Sequence, residues 1–132
     1  MKCALDTSVL VRILSNSPQP LASDVIFEVA KRIAEGDKMV VSDLVASEAY
    51  YAMQHHYGVD KRSVLKALRI ISEQPGFEFS DVAHEVLSLD GLESANPGFV
   101  DRLIHGEGIH GGMKVLSCEK SFHRLANAEV IP

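Results

Sequence analysis

Short apolar runs with the character of strands alternate along this chain with longer stretches of helical period, and this alternation restricts the folds open to it. Residues 2–5 read as a strand, followed by a helix over about Thr7–Ser15. The segment Ser15-Asn16-Ser17-Pro18-Gln19-Pro20 is a loop by its turn chemistry. The spacing Leu21, Val25, Val29, Ile33 predicts a second helix that stops at Gly36. Residues 39–41 form the next strand, and Ser42 or Asp43 can cap a helix running to about Tyr57, with Gly58 as its stop. Asp60 caps a further helix whose stripe of Val64, Leu65, Leu68 and Ile71 ends before Pro75-Gly76. Then come a short strand at Phe77–Phe79, a helix over 82–89, and a helix opened by Asn96-Pro97 that runs through Asp101 and Ile104. An apolar strand at 113–116, a short helix at 119–125 and a last strand at 128–131 complete the series.

Strands that alternate with helices pair in parallel through right-handed crossovers. The expected architecture is α/β: a doubly wound, mostly parallel sheet of about five strands with helices on both faces, in a single domain over residues 1–132. At 132 residues and 46% apolar content the chain is long enough to bury a core, roughly 65–70% of its unfolded surface. No apolar run reaches the ~20 residues of a membrane span, and the opening Met-Lys-Cys-Ala-Leu-Asp lacks the apolar stretch of a signal peptide. The expected compartment is the cytoplasm, with Cys3 and Cys118 reduced.

Ligands of open parallel sheets bind at the carboxyl ends of the strands, where strand order reverses. Asp6 closes the first strand; its ordinary role is a helix N-cap, and its alternative role is a metal ligand. Glu48 falls, at 100° per residue, within a stripe formed by Leu44, Val45, Ala49 and Ala52. Placed there it would be buried, and a buried carboxylate requires a proton, a basic partner or a metal. Asp101, at the edge of the stripe of Val100, Leu103 and Ile104, is either a first-turn acid favoured by the helix dipole or a ligand. Glu119 follows the 113–116 strand and has the same two readings. Asp6 and Glu119 thus share a rim if their strands are parallel, with Glu48 and Asp101 turned toward the core side. Carboxylates gathered in this way repel unless a cation neutralises them, and an oxygen-only set suits a hard ion such as Mg²⁺ or Mn²⁺. The net charge of −5 fits either a solvated acidic surface or such a concentration of acids.

At these residues the chain resembles the PIN-domain ribonucleases, and among them the VapC-type toxins of toxin–antitoxin pairs. Leu5-Asp6-Thr7-Ser8-Val9-Leu10 resembles the family's first acidic motif, and Val41-Ser42-Asp43-Leu44-Val45-Ala46-Ser47-Glu48 its second. Phe99-Val100-Asp101-Arg102-Leu103-Ile104 resembles the third, and Leu116-Ser117-Cys118-Glu119-Lys120-Ser121-Phe122 the fourth, where the family usually has Asp instead of Glu119. The four occur in the family's order and spacing over nearly the whole chain. The resemblance implies a PIN-like fold and Mg²⁺- or Mn²⁺-dependent hydrolysis of RNA. Asp6, Asp101 and Glu119 would be metal ligands, and Glu48 a ligand or the group that orients a water. Ser8 and Ser117 would hydrogen-bond behind these ligands. It also implies a homodimer and a small antitoxin protein as partner, with no membrane partner.

After Asp101 the family favours alanines, whereas this chain has Arg102, His105, Gly106, Glu107 and Gly108. Each glycine weakens a helix by roughly 0.5–1 kcal/mol, and Glu107 would face the apolar stripe. His105, four residues after Asp101, either borders the site or is simply exposed. The other histidines do not have zinc spacing: His55-His56 are adjacent, and His105 and His110 are five apart. Arg62, Lys66 and Arg69 read as a solvated stripe, while Arg12, Arg102, Lys120 and Arg124 are the candidates for phosphate contact. Glu119 and the altered helix after Asp101 also admit a second function, a PIN-fold protein- or RNA-binding module without nuclease activity.

Overall fold

A computed structural model describes residues 1–15 and 20–132, with the side chains of 20–23 outside the description. Most of the loop expected between Ser15 and Pro20 therefore lies outside the described residues. Among the described residues five short strands and six α-helices follow in the order β1 (Lys2–Ala4), α1 (Thr7–Ser15), α2 (Pro20–Ala34), β2 (Lys38–Val41), α3 (Asp43–His55), α4 (Lys61–Ser72), β3 (Phe77–Phe79), α5 (Asp81–Leu87), α6 (Phe99–His110), β4 (Val115–Ser117) and β5 (Ala128–Val130). The structure is α/β with parallel strands, as the alternating pattern requires. Those strands form two sheets, of three and two strands, in two compact units, Met1–Ser80 and Asp81–Pro132.

In the first unit β2 lies between β1 and β3, parallel to both, with Cys3 opposite Met39 and Met39 opposite Phe77. A central strand is paired along both edges, and the face of β2 that carries Met39 and Val41 is buried, each being 1% exposed. α1 packs against α2 and α3, and α3 against α4. Leu10, Val64 and Leu68 complete this core. The starts and stops are chemical. The Ser42 side chain accepts from the Val45 amide and caps α3, and Asp60 accepts from the Ser63 amide to cap α4. Gly76 turns the chain into β3 with φ of +100°, and a Cβ there would come within 2.5 Å of Ile33 Cγ2. Both the dihedral and the close approach require glycine.

The second unit packs α5 against α6, and α6 against β4. Its core includes Val82, Ala83, Val86, Leu92, Phe99, Leu103, Val115 and Phe122. A 3₁₀ turn at Leu92–Ser94, not foreseen from the sequence, precedes the cis peptide Asn96-Pro97. α6 then starts after Gly98. The short helix expected at 119–125 is a 3₁₀ segment, Lys120–Arg124, which carries the chain from β4 back to the parallel β5.

The glycines of α6 have a packing function that periodicity alone concealed. A Cβ on Gly106 would overlap Val82 Cγ1 of α5, and one on Gly108 would lie 2.6 Å from Val115 Cγ2 of β4. Glu107, expected on the apolar stripe, is exposed, because the glycines on either side make the close contacts and turn it outward. Helix propensity alone favours Gly106→Ala, yet Val82 is buried and β-branched and cannot move aside. Gly106→Ala is expected to lower unfolding free energy by about 1–2 kcal/mol in urea titration. Val82→Ala should offset much of that loss in a double-mutant cycle.

Candidate metal centre

Each unit contains two of the acids expected to act. In the first, the β1–β2 register sets Ala4 opposite Val40, and the Leu5 amide donates to the Val40 carbonyl at 2.9 Å. Asp6 therefore leaves its strand level with Ser42, the cap of α3, at the carboxyl ends of two neighbouring parallel strands. Glu48 lies on α3, about 8 Å along the axis from Asp43 at 1.5 Å per residue. α1, which Asp6 introduces, packs on this same helix.

Asp6 is exposed, and Ser8 holds its carboxylate: Ser8 Oγ donates to Oδ2 at 2.7 Å and the Ser8 amide at 3.4 Å. The Val9 and Leu10 amides donate to the Asp6 carbonyl. Asp6 is thus the cap of α1 as well as a candidate ligand. Hydrogen bonds from the Ser8 side chain, the Ser8 amide and the Thr7 amide, in that order of size, hold its pKa below the ordinary carboxylate value.

Glu48 is not where the apolar pattern put it. α3 buries Ala46, Ala49 and Met53, so the inward face is rotated away from the expected stripe of Leu44, Val45, Ala49 and Ala52. Leu44 is 70% exposed and Glu48 is exposed beside it. The close contact of α3 with α1 selects small alanines, which outweighed the larger Leu44 in choosing the face. Burial therefore places no demand on this carboxylate. Sequence reading also passed over Asp43 as anything beyond a cap. Half-buried, it accepts from Ser80 Oγ at 2.7 Å and so ties the start of α3 to the residue after β3. The signal was present, since Asp43 follows its strand much as Asp6 follows β1.

In the second unit Asp101 is half-buried in the first turn of α6, and Glu119 is exposed just beyond β4. α6 and β4 are joined through Gly111 and Gly112 and meet where Gly108 faces Val115, so the chain reverses there. From that meeting point Asp101 is about 10 Å back along the helix, and Glu119 comes two residues after the end of β4, past a bend at Cys118. A bond from Arg124 to the Asn96 carbonyl, 2.7 Å long, fastens the 3₁₀ segment after Glu119 to the approach to α6. The Ser117 hydroxyl accepts from the Glu119 amide at 2.9 Å and fixes the backbone that carries this side chain.

Within neither unit do the described residues gather three or more His, Cys, Asp or Glu into a metal-holding cluster. None of the four acids is paired with a Lys or Arg among the described residues; the ion pairs there use Asp37, Glu78, Glu28, Glu73, Glu85 and Glu129. The basic candidates are partly committed. Arg12 Nη1 donates to the Ser8 carbonyl at 3.0 Å, Arg102 Nε to that of Pro97 at 2.7 Å, and Arg124 to that of Asn96. A guanidinium carries five N–H donors, so one carbonyl does not exhaust any of them. Lys120 is exposed. His105 is half-buried, its Nε2 2.7 Å from the Ala126 carbonyl. Cys3 and Cys118 are both free thiols. No helix among the described residues is long and apolar enough to cross a membrane.

Removing the main donor to Asp6 has a readable consequence. Ser8→Ala should raise the Asp6 pKa toward the ordinary carboxylate value in a ¹³C-detected NMR titration. A group whose folded pKa is depressed contributes stability above its unfolded pKa and loses it as pH falls through the folded value. The variant should therefore lose the Asp6 contribution at a higher pH than the parent.

Comparison with curated proteins and with solved structures returned no match. A family model, that of the PIN domain, matches residues 3–128 and so runs through both units and all four acidic motifs. PIN domains are generally nucleases, often dependent on divalent metal ions, that act on RNA. This chain belongs to the PIN-domain family.

Proposed function

We propose that this chain is an endoribonuclease that hydrolyses RNA phosphodiester bonds with Mg²⁺ or Mn²⁺, as the toxin of a toxin–antitoxin pair. The observation that carries the reading is the state of Asp6, Glu48, Asp101 and Glu119. They lie in the four segments that resemble the family's acidic motifs, within the span that the family model matches, and none is paired with a Lys or Arg among the described residues. An all-carboxylate donor set fits a hard divalent cation. Asp6, Asp101 and Glu119 would hold it, with Glu48 as a further ligand or as the group that orients a water. Such an ion, when bound, lowers the pKa of a coordinated water toward neutrality and offsets charge that develops on the phosphate.

The chain's own groups do the rest. Ser8 keeps Asp6 ionised and aimed, while Ser117 fixes the backbone of Glu119. Remaining N–H donors of Arg12, Arg102 and Arg124, together with Lys120, would contact the phosphates of the strand. A small antitoxin protein and a second copy of the chain are the proposed protein partners, and the 1–132 span is proposed to act as one domain in the cytoplasm.

A binding module without nuclease activity is the second reading. It is favoured by Glu119 in place of the family's Asp and by the absence, within either unit, of a three-ligand cluster among the described residues. The two readings separate in one assay. Purified protein incubated with single-stranded RNA and Mg²⁺ or Mn²⁺ should cleave it, and Asp6→Asn should reduce the rate at least about a hundredfold. Cleavage absent with every metal, from folded protein, leaves the binding module. Glu119→Asp should retain activity and Glu119→Gln should lose it, because ligand charge matters more than one methylene. Mn²⁺ titration by calorimetry should show the affinity fall in Asp6→Asn in the same order.

A further inference from the structure

On α3 the exposed side continues past Glu48 with aromatic rings. Tyr51 and His55 follow it by three and seven residues, within about 60° and 20° of its direction around the helix at 100° per residue. Along the axis they are about 4–5 Å and 10 Å beyond it. The two rings lie against each other, with centroids 4.1 Å apart and planes tilted by 33°. Tyr51 is 59% exposed and His55 is exposed as well, so the pair is accessible from solvent. A tyrosine this exposed contributes little to the core, and its ring is held in place by His55. Beyond His55 the chain turns back through a bond from the Val59 amide to the Met53 carbonyl. That turn leads directly into Lys61 and Arg62, both exposed at the start of α4, and α4 packs on α3. In an acidic protein this sequence of groups is distinctive: a carboxylate, a ring pair, then cationic side chains, on one helical hairpin.

We propose that the Tyr51–His55 ring pair is a stacking platform for an unpaired nucleobase of the RNA, next to the phosphate that is presented at Glu48. The inference rests on the nuclease reading and deepens it by naming the groups that position the substrate. Aromatic rings stack on every base without regard to sequence, and backbone phosphates are met by cations; Lys61 and Arg62 supply the latter at the far end. Duplex RNA keeps its bases stacked on one another and offers no open face, so the platform selects single strands. Tyr51 and His55 here are positioning residues, and the reacting phosphate belongs to the acids.

The test uses the full chain and two fluorescein-labelled ten-nucleotide RNAs, one intact and one abasic at every position, with binding read by fluorescence anisotropy in EDTA so that nothing is cleaved. Tyr51→Ala should weaken binding of the intact strand about tenfold, Tyr51→Phe should leave it within about twofold, and the abasic strand should bind parent and Tyr51→Ala alike. In the cleavage assay Tyr51→Ala should raise KM with little change in kcat. Equal binding of the intact strand by parent and Tyr51→Ala, both folded by circular dichroism, overturns the platform while leaving the nuclease reading intact if cleavage persists. A parent that neither binds nor cleaves RNA overturns both. A Tyr51→Ala chain that differs from the parent only in self-association, by analytical ultracentrifugation, assigns the ring pair to a contact between copies and overturns the platform as well.

Discussion

Parallel strand pairing is the constraint on which the placement of functional groups in the first unit depends. Antiparallel neighbours would send successive loops to opposite ends of the sheet. Here β1, β2 and β3 all point the same way, so the residues that follow each of them emerge along one rim. That geometry sets Asp6 level with Ser42, lets Ser80 reach Asp43, and starts α3 where its exposed face carries Glu48. β2 buries Met39 and Val41 on one face and holds the register of both neighbours through its two edges.

Strand and helix succession was readable because it depends on local signals. Hydrophobic period, a serine or aspartate at the start, and a glycine at the stop located α1, α3, α4 and β3 closely. The family was readable because four short acidic segments together resemble its motifs, and the family model spans all of them. What stayed hidden was decided by contacts between distant residues. The inward face of α3 was misassigned since a pattern weights large side chains, whereas the packing of α1 on α3 favours Ala46 and Ala49 and leaves Leu44 outside. Gly106 and Gly108 looked like helix defects, and only Val82 and Val115 reveal them as points of close approach. The division of five strands into two sheets has no signature in the sequence.

Several polar groups carry more than one duty. Asp6 caps a helix while remaining an ionised carboxylate at the surface, because Ser8 satisfies it from one side only by local donors. Arg102 and Arg124 bind the carbonyls of Pro97 and Asn96, so the turn before α6 is held by cations that still have unused N–H donors. Capping, turn formation and ligand chemistry draw on the same short segments. Substitutions there will rarely affect function without also affecting stability.

The link between β4 and β5 runs over ten residues, 118–127, of which five are wound as the 3₁₀ segment Lys120–Arg124. A parallel partner requires the chain to travel back the height of a strand, about 10 Å for three residues, and five residues in a 3₁₀ helix rise about 10 Å. The wound segment alone has the length of the return, and Asn127 leads into β5 in a left-handed conformation at φ of 53°. Glu119 stands just ahead of that segment, where its amide donates to the Ser117 hydroxyl. The local turn after β4 therefore anchors this acid, with little help from burial, and loosening that turn would free the side chain while leaving the return to β5 intact.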